Sequence, residues 1–109
     1  MALNVHMDPF TEKKLNEYMG ARPGYFKLFY DTEDCGCNGV LTLQIIDQPL
    51  DTDVKVEADA FELYVDRQQQ SLFDQTMKII ADPNYPSFTV RSDASLFSSN
   101  VRIKDLRQI

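Results

Sequence analysis

The apolar positions of this chain recur mostly with a period of two. Val54 and Val56 alternate with Lys55 and Glu57, the pattern of a half-buried strand. After the short connection Asp59-Ala60, Phe61, Leu63 and Val65 alternate with Glu62 and Tyr64, and the two runs together predict a hairpin. The run from Phe88 to Arg91 alternates again. Tyr25–Tyr30, rich in aromatics, and Val40–Ile46 predict two further strands. Asp47-Gln48-Pro49 closes the second of these, because proline cannot donate within a central strand. Leu3 and Val5 suggest a short opening strand and Val101–Ile103 a short last one, while Lys104–Ile109 shows no pattern. Leu72, Phe73, Met77, Ile79 and Ile80 fit either a short helix or a strand. Gln68-Gln69-Gln70 reads as a solvated loop or a first helical turn.

One segment carries helix signals. Asp8 suits an N-cap, Pro9 the first helical position and Gly20 the residue just past the end. Between them Phe10, Leu15, Tyr18 and Met19 form a partial apolar stripe. A helix this short is marginal alone and must dock that stripe on something. One helix and about six or seven short strands predict a mainly β (α+β) fold: a compact antiparallel β-sandwich or barrel-like domain. It has an N-terminal helix and room for one short later helix. Antiparallel pairing is expected because the connections are too short for repeated helical crossovers. Turns at Arg22-Pro23-Gly24 and Asp82-Pro83-Asn84-Tyr85-Pro86 punctuate the chain, and residues 1–109 read as a single domain.

Composition narrows the partners. A net charge of −6 over 109 residues disfavours nucleic acid, whose phosphates need clustered Lys and Arg, and disfavours anionic membranes. No apolar run approaches the roughly 20 residues of a spanning helix. The opening MALNVHMDPF has neither a basic start nor a long apolar stretch, so no signal peptide is expected and the cytoplasm is the expected compartment. There, paired cysteines point to metal, to redox work or to simple reduced thiols rather than to a structural disulfide.

The chain's two cysteines, Cys35 and Cys37, share one turn in YDTEDCGCNGV. In extended backbone, residues i and i+2 face the same way, so both sulfurs could meet one ion. Gly36 and Gly39 allow positive φ and a close approach of backbone N–H groups to a ligand. Asp31, Glu33 and Asp34 disfavour a free thiolate, and the adjacent sequence offers no cation, which counts against a thiol enzyme. An iron cation reverses that argument, since it is drawn to carboxylates and deprotonates the thiols it binds. The equal alternative is a pair of unremarkable exposed cysteines. Clusters usually take four thiolates, and one chain supplies two. A second copy, an external thiol, a partner protein or the turn's carboxylates would have to complete the set, because His6, the sole histidine, is distant in sequence. No catalytic residue is expected: Ser71 and Ser87 lack a base nearby in sequence. Asp51-Thr52-Asp53 lacks the rest of a calcium loop and reads as a turn.

The order of strand, helix, aromatic strand, cysteine turn and apolar strand resembles the HesB-like family, the A-type carriers of iron–sulfur cluster biosynthesis. The resemblance rests on DCGCNGVLTLQIID (34–47) and FELYVD (61–66), with FDQTMKIIAD and PSFTV similar to later strands of the family. Tyr30, Asp31 and Thr32 before Cys35-Gly36-Cys37 look like a shorter subgroup. The resemblance implies a non-enzymatic carrier of iron or an iron–sulfur cluster, working with assembly or client proteins and able to share a site across a homodimer. It carries the family's first ligand onto Cys35. The family's second Cys-Gly-Cys is missing: SLFSSNVRIKDL offers Ser95, Ser98, Ser99 and Asn100, poor iron ligands, so Cys37 stands as a local substitute. Two rival expectations are a metal-free interaction module and, ranked last, a thiol redox protein cycling a Cys35–Cys37 bridge.

Overall fold

The protein is described by a computed structural model covering residues 3–31 and 39–108. Eight strands close into a barrel: β1 (Asn4–Met7), β2 (Tyr25–Asp31), β3 (Val40–Ile46), β4 (Asp53–Ala58), β5 (Leu63–Asp66), β6 (Thr76–Ala81), β7 (Phe88–Arg91) and β8 (Leu96–Asp105). Their order around the barrel is β1-β4-β5-β2-β3-β8-β7-β6. The one α-helix among the described residues, α1 (Pro9–Met19), follows β1. Of the two architectures expected, the barrel is the one formed, and in it each described strand has a neighbour on both sides.

Pairing is mixed. Strands adjacent in sequence pair antiparallel, as β2–β3, β4–β5, β6–β7 and β7–β8. Four more ladders, β1–β4, β1–β6, β2–β5 and β3–β8, are parallel. The antiparallel pairing expected from the sequence forms in four ladders, and the parallel ladders are the part it did not anticipate. Short connections dictate antiparallel pairing only between consecutive strands. Strands distant in the chain pair parallel because the intervening elements serve as the crossover.

The predicted hairpin forms with Val54 opposite Val65 and Val56 opposite Leu63. The ambiguous stretch resolves into a single 3-10 turn, Gln70–Leu72, and then strand β6. The last strand is much longer than three residues, because Leu96–Asp105 pairs on both sides, with β7 and with β3. Phe26, Leu28, Leu43, Ile45, Val65 and Ile79 fill the interior, each on the inward side of the two-residue alternation. One lysine breaks the pattern. Lys27, on the outer face of β2, is buried with its ammonium 2.7 Å from Asp53 and 4.8 Å from the Phe29 ring centre.

Helix α1 starts where expected. The Asp8 side chain accepts from the Thr11 amide at 2.7 Å, and that bond holds the Asp8 carboxyl below its ordinary range. Gly20 ends the helix at φ 64, returning its own N–H to Asn16. The buried face differs in part from the predicted stripe: Leu15 is buried as predicted and Thr11 with it, whereas Phe10 and Tyr18 are exposed. Thr11 goes inside because its hydroxyl accepts from the Ala81 amide at the end of β6, a bond a phenyl ring cannot supply. The helix therefore closes the end of the barrel at which β1, β6 and β8 finish and β2 and β7 begin.

Candidate functional site

Strand directions put the two residues that flank the cysteine segment, Asp31 and Val40, at the opposite end. β2 runs away from the helix and finishes at Asp31, and β3 returns from Val40, with Asp31 and Val40 paired across the hairpin. Cys35 and Cys37, together with Glu33, Asp34 and Gly36, lie outside the described residues. The stem of their hairpin is described on both sides. Gly39 adopts φ 98, a conformation that favours glycine, as expected for this turn.

Several elements grip the stem. Asp31 is nearly buried and receives the Lys104 ammonium at 2.8 Å, delivered from β8. The sequence around the cysteines offered no cation, and the fold brings one to the foot of the turn from 73 positions away. Phe29 is held through its carbonyl, which accepts from the Thr42 hydroxyl at 2.9 Å. Tyr30 meets the side chain of Gln69, whose oxygen accepts from the Tyr30 N–H at 2.9 Å and whose nitrogen donates to the Tyr30 carbonyl at 3.0 Å. The Tyr30 ring stacks on Phe73, centroids 5.7 Å apart, and Phe73 lies against Phe97 at 5.8 Å. Burial raises the Tyr30 phenol above its ordinary range.

The aromatic trio lies at the turn end of the barrel, across from the end that the helix closes. Val40, Leu72 and Leu96, at strand and turn positions of this end, are 51%, 55% and 65% exposed. The connection between β7 and β8 at the same end is folded on Ser92. Its hydroxyl donates to Asp74 at 2.5 Å and accepts from the Ala94 and Ser95 amides.

The other predicted residues fall into place more simply. His6 is exposed on β1 and hydrogen-bonds Asp59 at 3.2 Å; it is near the helix end and is not brought to the turn. Ser98 and Asn100 lie in the first half of β8, on the turn side of the residues that pair with β3. Both make local bonds, Ser98 accepting from the Asn100 amide and Asn100 from Arg102. Asp51-Thr52-Asp53 is a turn, in which Asp53 also accepts from the Leu50 amide at 2.7 Å. Among the described residues, no group of three or more His, Cys, Asp or Glu is placed to hold a metal ion, and no helix is long and apolar enough to cross a membrane. Lys104, Gln69 and Phe73 are the site residues that sequence reasoning missed. Nothing in the sequence marks the first two, since each acts through a partner strand far away in the chain.

The chain matches the family described as iron–sulphur cluster biosynthesis over residues 3–105. It is 27% identical over 104 residues to the uncharacterized protein YqkB of Bacillus subtilis, covering 93% of this chain and 97% of that one. Its fold is similar to a protein assigned to Fe-S biosynthesis from Lactobacillus salivarius, at TM-score 0.82 and 18% identity, over 97% of this chain and 100% of the other. It is also similar to Escherichia coli SufA, involved in biosynthesis of iron–sulfur clusters, at TM-score 0.63 and 15% identity, over 87% and 91% of the two chains. At those identities the solved structures establish a common fold.

Proposed function

This chain belongs to the iron–sulphur cluster biosynthesis family, and from that premise we propose that it carries iron or an iron–sulfur cluster on the turn holding Cys35 and Cys37. The observation that supports this most is positional. The family match runs through the turn, and both of the chain's cysteines fall, in sequence, between two paired strands whose stem is pinned from three directions. The donor set suits the cargo, since thiolates are the usual ligands of iron–sulfur clusters. Two thiols make half a set. A second copy of the chain, an assembly or client protein, or a small thiol supplies the rest, and a cargo so incompletely enclosed is one that can be handed on by ligand exchange. The protein acts as a carrier and not as an enzyme, in the cytoplasm. In this reading Cys37 stands in for the second Cys-Gly-Cys of A-type carriers, as in a short Cys-Gly-Cys subgroup.

Anaerobic reconstitution with ferrous iron and sulfide tests the proposal. Wild type is expected to retain iron through desalting and the Cys35→Ser, Cys37→Ser double variant to lose it. Equal, negligible iron in both would sink the carrier reading. That result would favour a metal-free interaction module, for which the exposed Val40, Leu72 and Leu96 are the supporting observation.

A further inference from the structure

The ladder between β2 and β5 ends before β2 does. Phe26, Lys27 and Leu28 have β5 partners, the Phe26 amide donating to Glu62, and every second residue of β2 turns its N–H and C=O toward that side. Tyr30 is next in that row, but β5 stops at Asp66. An unpaired N–H and C=O here would leave the last turn of the stem to fray. The Gln69 amide fills the gap. Its oxygen and nitrogen engage the Tyr30 N–H and C=O at 2.9 and 3.0 Å, as the peptide group of a neighbouring strand would.

The clamp itself is held. The Gln69 N–H donates to Asp66 at 2.9 Å, its carbonyl accepts from the Leu72 amide at 2.9 Å, and the Arg67 amide bonds Thr52. Phe73, four residues on, stacks on the Tyr30 ring. Backbone and side chain of Tyr30 are thus both held by one connection, residues 67–75, which belongs to neither strand of the hairpin.

We propose that Gln69 is a positioning residue for the cysteine turn: a side-chain amide that replaces a missing strand partner and fixes the stem of the hairpin in whose connecting segment Cys35 and Cys37 fall in sequence. The inference rests on the carrier reading for its functional consequence, while the clamp can be read without metal. Gln69→Met keeps the volume and removes both hydrogen bonds. Gln69→Glu keeps one acceptor while ionised, and a protonated carboxyl regains a donor beside an acceptor, reproducing the amide's pair.

Two measurements test the proposal on the full chain. In the metal-free protein, hydrogen exchange at the Tyr30 amide is expected to quicken by roughly tenfold to thirtyfold in Gln69→Met, the worth of two net hydrogen bonds, with Leu28 unchanged. In Gln69→Glu the exchange ratio to wild type at Tyr30 should fall toward one as pH is lowered through the carboxyl's titration, a rescue that loss of packing alone cannot produce. In the reconstituted protein, transfer of iron to a ferrous chelator should be faster in Gln69→Met by a similar factor. Unchanged Tyr30 exchange in Gln69→Met overturns the clamp, and faster exchange with unchanged iron transfer overturns its positioning role. Faster exchange in a chain that takes up no iron, wild type included, supports the clamp and overturns the carrier reading.

Discussion

The helix end and the turn end of this barrel are closed by different means. At the helix end the seal is made by buried side chains and saturated backbone groups. Leu15 and Thr11 lie inside. The carbonyls near the helix terminus, which have no partner within a helix, are taken by Arg107, whose guanidinium donates to Met19 at 2.9 Å and to Arg22 at 3.0 Å. Asp105 holds Arg107 in turn at 2.8 Å, Leu106 donates to Ile45, and Gln108 donates to Asp47. At the turn end an aromatic trio does the sealing, a glutamine replaces a strand, and leucines stay in water. The contrast separates two demands on one small fold. In the carrier reading the helix end carries stability and the turn end steadies the hairpin stem beside the cysteines, although both ends expose apolar side chains, Phe10, Tyr18 and Tyr85 at the first and Val40, Leu72 and Leu96 at the second.

That division predicts unequal consequences. The largest is expected for Leu15→Ala, which empties a fully buried site and should cost about 2–5 kcal/mol in a urea melt, with iron retained per folded chain unchanged. A comparable loss of iron retention in the folded fraction would erase the distinction between the ends. Next, Arg107→Ala removes the charged donor shared by the Met19 and Arg22 carbonyls and should cost about 1–3 kcal/mol by the same melt; removing residues 106–109 should reproduce it. Asp8→Ala removes the helix cap for about 0.5–2 kcal/mol, read as a lower thermal midpoint. The smallest effect is a pH dependence. The Arg107 side chain, hydrogen-bonded to Asp105, lowers the Asp105 carboxyl from 3.8 to about 2. A depressed folded pKa contributes stability that is present above the unfolded value and lost as pH falls through the folded one. Stability should therefore fall between about pH 4 and pH 2, and Asp105→Asn should flatten that limb in an acid titration of the melting midpoint. Asp8, lowered by the Thr11 amide, acts in the same direction.

Much of the helix end was legible in the sequence, because its signals are local. Asp8, Pro9 and Gly20 announce the caps, and alternation from Val54 to Val65 announces the hairpin. The buried face of the helix was not, since Thr11 is drawn inside by the amide of Ala81, 70 positions away. Strand β8 was under-read for a similar reason: LFSSNV carries three polar residues in a row, and only its two flanking strands make it extended. Arg107 sits in a tail without periodicity, and its role depends on carbonyls contributed by α1. At the turn end the cysteines were plain to see, while the groups that hold their stem were not. Gln69 is one of three consecutive glutamines, and only the early end of β5 gives it a function. Lys104 reverses one expectation, because a turn with no cation nearby in sequence has one at its foot in space.

Where iron is held separates a carrier from a metal-free module, and iron-edge X-ray absorption reads that directly. The measurement uses ferrous iron bound to the full chain without sulfide or added thiol, so that any sulfur neighbour other than methionine comes from Cys35 or Cys37. Sulfur scatterers in wild type that vanish in the Cys35→Ser, Cys37→Ser variant are the predicted result. An iron shell of oxygen and nitrogen alone, the same in both proteins, would contradict it.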